Sequence, residues 1–221
     1  MAHFRLEQFR KRMSEIGKKI RAIVDAGLAP RLKEQGFHRR GINFHRTDGD
    51  AIQVVTVQSS QHNFGDSGRF RVNFGVHFPE VARVLQGSDG MPKVPSEQFC
   101  LLRALWSFPD RWWAVDSATI ASNVVLNLNT YWSEIIWPWL EVNKQLPEAA
   151  KTLESQPMSR VTAAAVRLTL GQRDEATRLV GTCIASLENA IQAQSAYPDN
   201  VELLTAQLKN VRDWAANHHL L

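Results

Sequence analysis

The residues able to bind a metal or attack a substrate are few, and their spacing argues against both roles. The chain has seven histidines and two cysteines. His38 and His45 are seven apart, so on one regular strand they would point to opposite faces. His62 falls in a loop-like stretch, His77 in an alternating one, and His218-His219 near the C-terminus. No Cys-x-x-Cys, His-Glu-x-x-His or carboxylate triplet is present, so no metal and no cofactor is expected. Asp110 with Glu141 and Lys144 imitates a metal-dependent nuclease set. That chemistry needs Glu and Lys one residue apart on a strand, both reaching the metal-bound water. Here they are three apart, in a segment of helix or loop character. Cys100 lies among Phe99, Leu101 and Leu102, a core setting without the cationic neighbour that makes a thiol reactive. Neither Gly-x-Ser-x-Gly nor Gly-x-x-x-x-Gly-Lys occurs.

What remains is recognition chemistry. From Phe70 to Phe78 the chain alternates, with Phe70, Val72, Phe74, Val76 and Phe78 on one face and Arg71, Asn73, Gly75 and His77 on the other. One face then lies on a core and the other on something wetter. Gln58 and Ser60 close the preceding strand on a single face. Arg40 and His45 are assigned to the same surface, with their facing open because the register is open. Such amide and guanidinium groups either orient a ligand or satisfy one another as a polar network. Trp112 and Trp113 complete the candidate set. With Trp132, Trp137 and Trp139 they place five of the seven tryptophans within 28 positions. Tryptophan is both a core filler and an interface anchor. A separate candidate for gripping phosphates is the basic face Lys11, Arg12, Lys18 and Lys19, diluted by Glu7 and Glu15.

The elements that must carry these residues follow from periodicity. Phe9, Met13, Ile16, Ile20 and Val24 recur at helical spacing, predicting a helix from about Phe4 to Asp25. Gly27 and Pro30 break it, and a short helix from Ala29 should stop at Gly36. Three strands are expected: Phe37–Arg46, Ala51–Ser60 and Phe70–Phe78, the first two joined by a hairpin at Thr47-Asp48-Gly49-Asp50. Residues 79–95 have loop composition. A short helix is expected around Glu97–Trp106, a short strand or turn over 108–113, and a long helix from Ser117 to Trp137 that ends or kinks at Pro138. Beyond Pro147 only helices are expected, over Arg160–Leu170, Arg173–Gln192 and Val201–Asn217. The fold class is therefore α+β. A small antiparallel sheet of three or more strands packs with helices over residues 1–145, and an all-helical extension follows over 146–221.

The chain has 221 residues, 44% hydrophobic and 22% charged, an ordinary globular mixture. No apolar run approaches the roughly 18 residues of a membrane span, and the basic start does not resemble a signal peptide. Two cysteines without a framework suit a reducing, cytoplasmic setting. Residues 1–46 hold 12 Lys/Arg against 4 Asp/Glu, a net of +8 on a chain whose total is +4. A basic N-terminal part on a mildly acidic body can face nucleic acid, an anionic partner or the rest of its own chain.

Several motifs recur in a fixed order. Leu32-Lys33-Glu34-Gln35-Gly36-Phe37-His38-Arg39-Arg40-Gly41 is followed by Phe44-His45-Arg46, then Val55-Thr56-Val57-Gln58-Ser59-Ser60 and Phe70-Arg71-Val72-Asn73-Phe74-Gly75-Val76. Cys100-Leu101-Leu102-Arg103 and Trp112-Trp113 complete the series. Over about residues 5–145 this resembles the bacterial domain-of-unknown-function family numbered 4304. The resemblance implies a fold and brings no activity, cofactor or catalytic residue with it. Partner-binding accessory or immunity-like roles are an analogy. Val161–Ala176, turning at Gly171, resembles one tetratricopeptide-type hairpin, and a single unit cannot build a solenoid.

These readings lead to a non-enzymatic protein-binding or accessory module using the polar sheet face, nearby aromatics or the tail. Immunity-like or defence-associated binding would fit this reading. The alternatives are nucleic-acid binding through the basic N-terminal helix, and an enzyme without a recognisable motif centred on His45 and His77.

Overall fold

Strand β4 (Gly68–His77) organises the molecule, because its alternation gives it two faces of opposite character. The computed structural model describes residues 15–86, 95–156 and 159–221. Lys11, Arg12, Phe9 and Met13, and the start of the expected first helix, lie outside the described residues. So does most of the Gly/Pro-rich stretch before Pro95. Two helices come first, α1 (Glu15–Ala26) and α2 (Leu28–Glu34). Ile16, Ile20 and Val24 of α1 are buried, as the helical spacing predicts, and Ile23 is buried beside them. Gly36, at φ +78°, ends α2 in the left-handed region.

The strand expected over Phe37–Arg46 is instead a hairpin, β1 (His38–Arg40) and β2 (Asn43–Asp48). Gly41 adopts φ +65°, which lets the chain reverse within two residues. Gly49 does the same at φ +59° between β2 and β3 (Ala51–Ser59), at the expected Asp-Gly hairpin. Strands β1 to β4 pair antiparallel in chain order. The far edge of β4 is paired at each end by a short strand, with Arg71 to Phe74 between them left without a ladder partner on that side among the described residues. Strand β5 (Leu102–Arg103) lies opposite Gly75 and Val76, and β6 (Trp113–Val115) lies opposite Gly68 to Phe70. The protein is thus α+β, with a six-stranded antiparallel sheet.

Four other expectations change. Helix α3 (Pro79–Gln86) occupies residues of loop composition; Pro79 starts it, where its missing N–H costs nothing. The helix expected over Glu97–Trp106 is two single 3₁₀ turns separated by β5, because β4 takes the intervening residues as ladder partners. The long helix begins at Ala121 rather than Ser117. Thr119 and Asp116 hold the preceding residues in a turn, with Thr119 Oγ1 receiving the Asp116 N–H at 2.9 Å and donating to Asp116 Oδ1 at 2.7 Å. Of the end or kink expected at Pro138, the end is overturned, because the helix continues past it. Helix α4 (Ala121–Tyr131) passes through one π-helical turn, Trp132–Ile136, into α5 (Trp137–Asn143). The wider turn sits just where Pro138 has no N–H to give the α ladder. The tail follows the sequence closely: α6 (Leu146–Glu154), α7 (Arg160–Thr169), α8 (Arg173–Ala193) and α9 (Pro198–Asn217). Gly171, at φ +72°, turns α7 into α8.

One continuous core joins these parts. Phe70, Val72, Phe74 and Val76 meet α1, α4 and α5, and the same cluster runs through Ala149 and Leu153 to Ala163–Val166 and Leu179. Four successive alanine or valine positions of α7 are completely buried, which lets α6, α3 and α8 approach it closely. Aromatic edges fill the centre. Phe74 meets Trp139 at 5.3 Å and 83°, and Trp113 meets Tyr131 at 5.3 Å and 70°. The Trp214 indole donates to Val84 O at 3.1 Å, tying α9 to α3.

Gly75 is required by close approach. A Cβ there would stand 2.7 Å from Leu102 O and 2.9 Å from Cys100 Cβ. Gly75→Ala should therefore cost about 1–3 kcal/mol by forcing β5 off β4. Urea unfolding checks this, and a loss below about 0.5 kcal/mol would show that the edge relaxes freely.

Candidate functional site

The face of the sheet opposite the core is built from register. Arg40 lies opposite Asn43, Asn43 opposite Thr56, and Thr56 opposite Asn73. Gln58 lies opposite Arg71. His38, His45, Val54 and Gly75 form the neighbouring row. The alternation of side chains therefore puts Arg40, His45, Gln58, Arg71, Asn73 and His77 on one face. Ser60 lies one residue past β3. Its N–H donates to Arg69 O at 2.9 Å and its hydroxyl receives the His62 N–H at 3.1 Å, so it shapes the following loop.

At the β4 end this face is a connected network. Gln58 Oε1 receives Arg71 Nε–H at 2.9 Å and Asn73 Nδ2–H at 2.7 Å. Arg71 also donates to Asp110 Oδ1 at 2.9 Å, and the Trp112 indole donates to Asp110 Oδ2 at 2.8 Å. The Trp112 ring has Arg69 at 4.9 Å and Arg71 at 5.0 Å from its centroid. Partial burial works against the Asp110 charge. The hydrogen bonds from Arg71 and Trp112 outweigh it and hold the carboxyl below its ordinary range. Thr56 donates to Asn43 Oδ1 at 2.7 Å. The Arg40 side chain is exposed and has no hydrogen-bond or ion-pair partner among the described residues.

The other candidates separate from this surface. Trp113 belongs to the opposite face, stacked on Phe70 at 5.6 Å and 7% exposed, so the Trp-Trp pair straddles the sheet. His77 is on the polar side yet 2% exposed. The Ile52, Val54 and Cys100 cluster closes over this end of the face, and Glu97, itself buried, pairs with Arg103 at 2.8 Å. His45 and His77 lie two strands apart and two positions out of step, so roughly 12 Å of sheet separates them. His38 and His45, expected on opposite faces of one strand, are direct partners across the β1–β2 hairpin with ring centroids 6.0 Å apart. The turn at Gly41 accounts for the difference. No group of three or more metal-ligating His, Cys, Asp or Glu occurs among the described residues. Glu141 and Lys144 pair with Asp48 and Arg46 on the core side, far from the Asp110 network. Of the basic helix, Lys18 pairs with Glu15 at 2.6 Å, and Lys19 donates to Asp116 O and Ser117 O at 2.6 and 3.1 Å.

Sequence reading missed Asn43, Thr56, Arg69 and the place of Asp110 in the network. Asn43 and Thr56 were legible only once the turn at Gly41 set the register. Asp110 carried a local signal in its position two residues before Trp112.

The sequence model of the family described as Domain of unknown function (DUF4304) matches residues 28–142, just over half the chain. The chain belongs to this family. The match starts at α2 and stops within α5, so it covers the whole sheet and both edges of its polar face. It leaves out α1, which the broader resemblance over residues 5–145 had included. No curated protein and no solved structure matches the chain.

Burial lowers the His77 pKa, against a smaller opposing hydrogen bond with the Phe99 backbone. His45 is lowered by burial, then by His38 and Arg40. Both groups bind protons more readily when the chain is unfolded. Stability is therefore full above their ordinary value of 6.5 and falls as pH drops through the folded values. The melting temperature should decline between pH 7 and pH 5, and His77→Gln should flatten that decline. An unchanged slope in His77→Gln would show that the imidazole is solvated and titrates normally.

Proposed function

We propose that this family member is a non-enzymatic protein-binding or accessory module whose partner seats on the polar sheet face. The observation that carries the reading is the Arg69–Trp112–Arg71 stack anchored to Asp110 and Gln58. It combines an indole, guanidiniums and amides, the groups that dominate binding energy at protein interfaces, on a rigid strand. The cavity lined by Arg71, Asn73 and Asp110 holds about 20 Å³, room for a single water molecule and far too little for a substrate. A shallow surface of this kind suits a macromolecular partner better than an enclosed substrate. Three guanidiniums, Arg40, Arg69 and Arg71, stand against the one carboxylate of Asp110, which favours an anionic patch on that partner.

The setting proposed is the bacterial cytoplasm. Cys100 and Cys183 are both free, and burial pushes both thiols up, which suits a reducing compartment. No helix among the described residues is long and apolar enough to cross a membrane.

A tagged pull-down from a bacterial lysate, with and without nuclease, tests the reading. A stoichiometric protein that survives nuclease should be retained by wild type and reduced at least tenfold by Trp112→Ala, while Lys209→Ala leaves it unchanged. Capture that vanishes with nuclease would move the function to nucleic acid and the N-terminal helix. Equal capture by Trp112→Ala would remove the polar face from the function.

A further inference from the structure

A second surface, on the far side of the sheet from Trp112, has a different chemistry. Strand β1 is the outer strand of the sheet, and among the described residues nothing pairs with its free edge. All three of its residues, His38, Arg39 and Arg40, are exposed. Its hairpin closes through a two-residue turn, so Arg40 and Asn43 form the hydrogen-bonded pair next to that turn. Antiparallel ladders alternate, so His38 with His45 is again a hydrogen-bonded pair, and Arg39 with Phe44 is not. The N–H and C=O of Arg39 therefore point outward from the sheet.

Beside this edge lies a groove of about 760 Å³ between α1–α2 and β1. Its floor includes Ala29, Phe37 and Phe44, the last two buried, and Pro30 lines the helix side. The Arg39 guanidinium crosses it, stacked at 5.1 Å on Phe44 and bonded to Asp25 at 2.5 Å and to Gly41 O at 2.9 Å. Lys33 and His38 also line it, so two cations, Arg39 and Lys33, stand against the single carboxylate of Asp25. An open backbone edge, an apolar trough and a positive rim occur together.

We infer that this groove accepts an extended acidic segment of a partner protein, added as a strand to β1. A residue opposite Arg39 would exchange both backbone hydrogen bonds with it and place an apolar side chain in the trough. Its two neighbours would fall beside His38 and Arg40 on the other face, where acidic side chains meet basic ones. The expected pattern is acidic–apolar–acidic. A second copy of this chain is a poor occupant, because β1 against β1 would set His-Arg-Arg against itself. This site is separate from the polar face proposed above.

The test uses the full chain and a fluorescein-labelled peptide Glu-Val-Glu-Val-Glu-Val-Glu with blocked ends, read by anisotropy. Wild type should bind it at least tenfold more tightly than the matching Lys-Val peptide. Arg39→Pro, which removes the outward N–H, should weaken binding at least tenfold. Arg39→Ala, which keeps that N–H, should weaken it only a few-fold, and Trp112→Ala should leave it unchanged. Equal binding of the lysine peptide, or loss in Trp112→Ala, would overturn the assignment. So would a concentration-dependent dimer of wild type that Arg39→Pro abolishes. Should Arg39→Pro fail to fold, hydrogen exchange of wild type decides. At least tenfold added protection of the Arg39 amide by the peptide supports strand addition, and no change overturns it.

Discussion

Everything else in the structure depends on the requirement that β4 bury one face and leave the other polar. Phe70, Val72, Phe74 and Val76 each lose nearly all exposure, and each removes roughly 1.5–3 kcal/mol of apolar cost from water. The helices before and after the sheet are recruited to that face and to no other. The same alternation leaves Arg71 and Asn73 on the opposite side without any choice of their own. Those groups must then be paired or wet, and Gln58 solves most of the problem by receiving both. The proposed binding surface is thus the complement of the core.

The helical layer is held in register by a second device on the core side. Arg46 pairs with Asp48 and with Glu141 at 3.1 Å, and Lys144 pairs with Asp48 at 2.8 Å and Glu141 at 2.7 Å. Two cations and two anions alternate, so each charge has two partners. Gln53, fully buried on the same face, donates to Leu140 O at 2.9 Å. The Arg46 guanidinium also stacks at 5.0 Å on Trp137. Such a closed set adds little net stability over an apolar equivalent, but loss of one member strands the others. Its effect is to fix where α5 crosses β2. Hydrogen bonds and the alternating charges hold the Asp48 carboxyl down and the Lys144 ammonium up, so both stay ionised. Glu141 and Lys144 therefore serve architecture, and their likeness to a nuclease pair comes from helical spacing that brings residues three apart onto one side.

Legibility in the sequence followed the range of the physics involved. The alternation of β4, the hairpin at Gly49, the stripe of α1 and the helices α7 to α9 rest on local periodicity or one special residue. All were readable. The split of Phe37–Arg46 into two strands was missed although Gly41 was in view, because a basic run with one glycine reads equally well as a continuous strand. The fate of residues 97–106 was unreadable for a different reason. Leu102 and Arg103 become a strand only because β4 offers an unpaired edge there. Within the candidate surface, Arg71, Asn73 and Gln58 were visible from alternation. The opposite placements of Trp112 and Trp113 were not, since adjacent strand residues divide between faces and only the pairing of Trp113 with Phe70 decides which goes inward.

The closure of the sheet also explains where a partner can approach. Two short strands cover the two ends of the far edge of β4, and helices cover one face except at the groove beside β1. The polar face is capped at one end, where Gly75 admits Cys100 and the segment from Pro95 folds over His77. An open band remains, running from Trp112 across Asn73, Thr56 and Asn43 to Arg40, and it ends at the unpaired edge of β1. Arg40 stands at the corner of the two surfaces, exposed and unpaired, while each neighbouring arginine is held by a carboxylate or a ring. A charge left free at the one place where face and edge meet costs nothing in folding. It is positioned to meet an anionic group arriving from either direction.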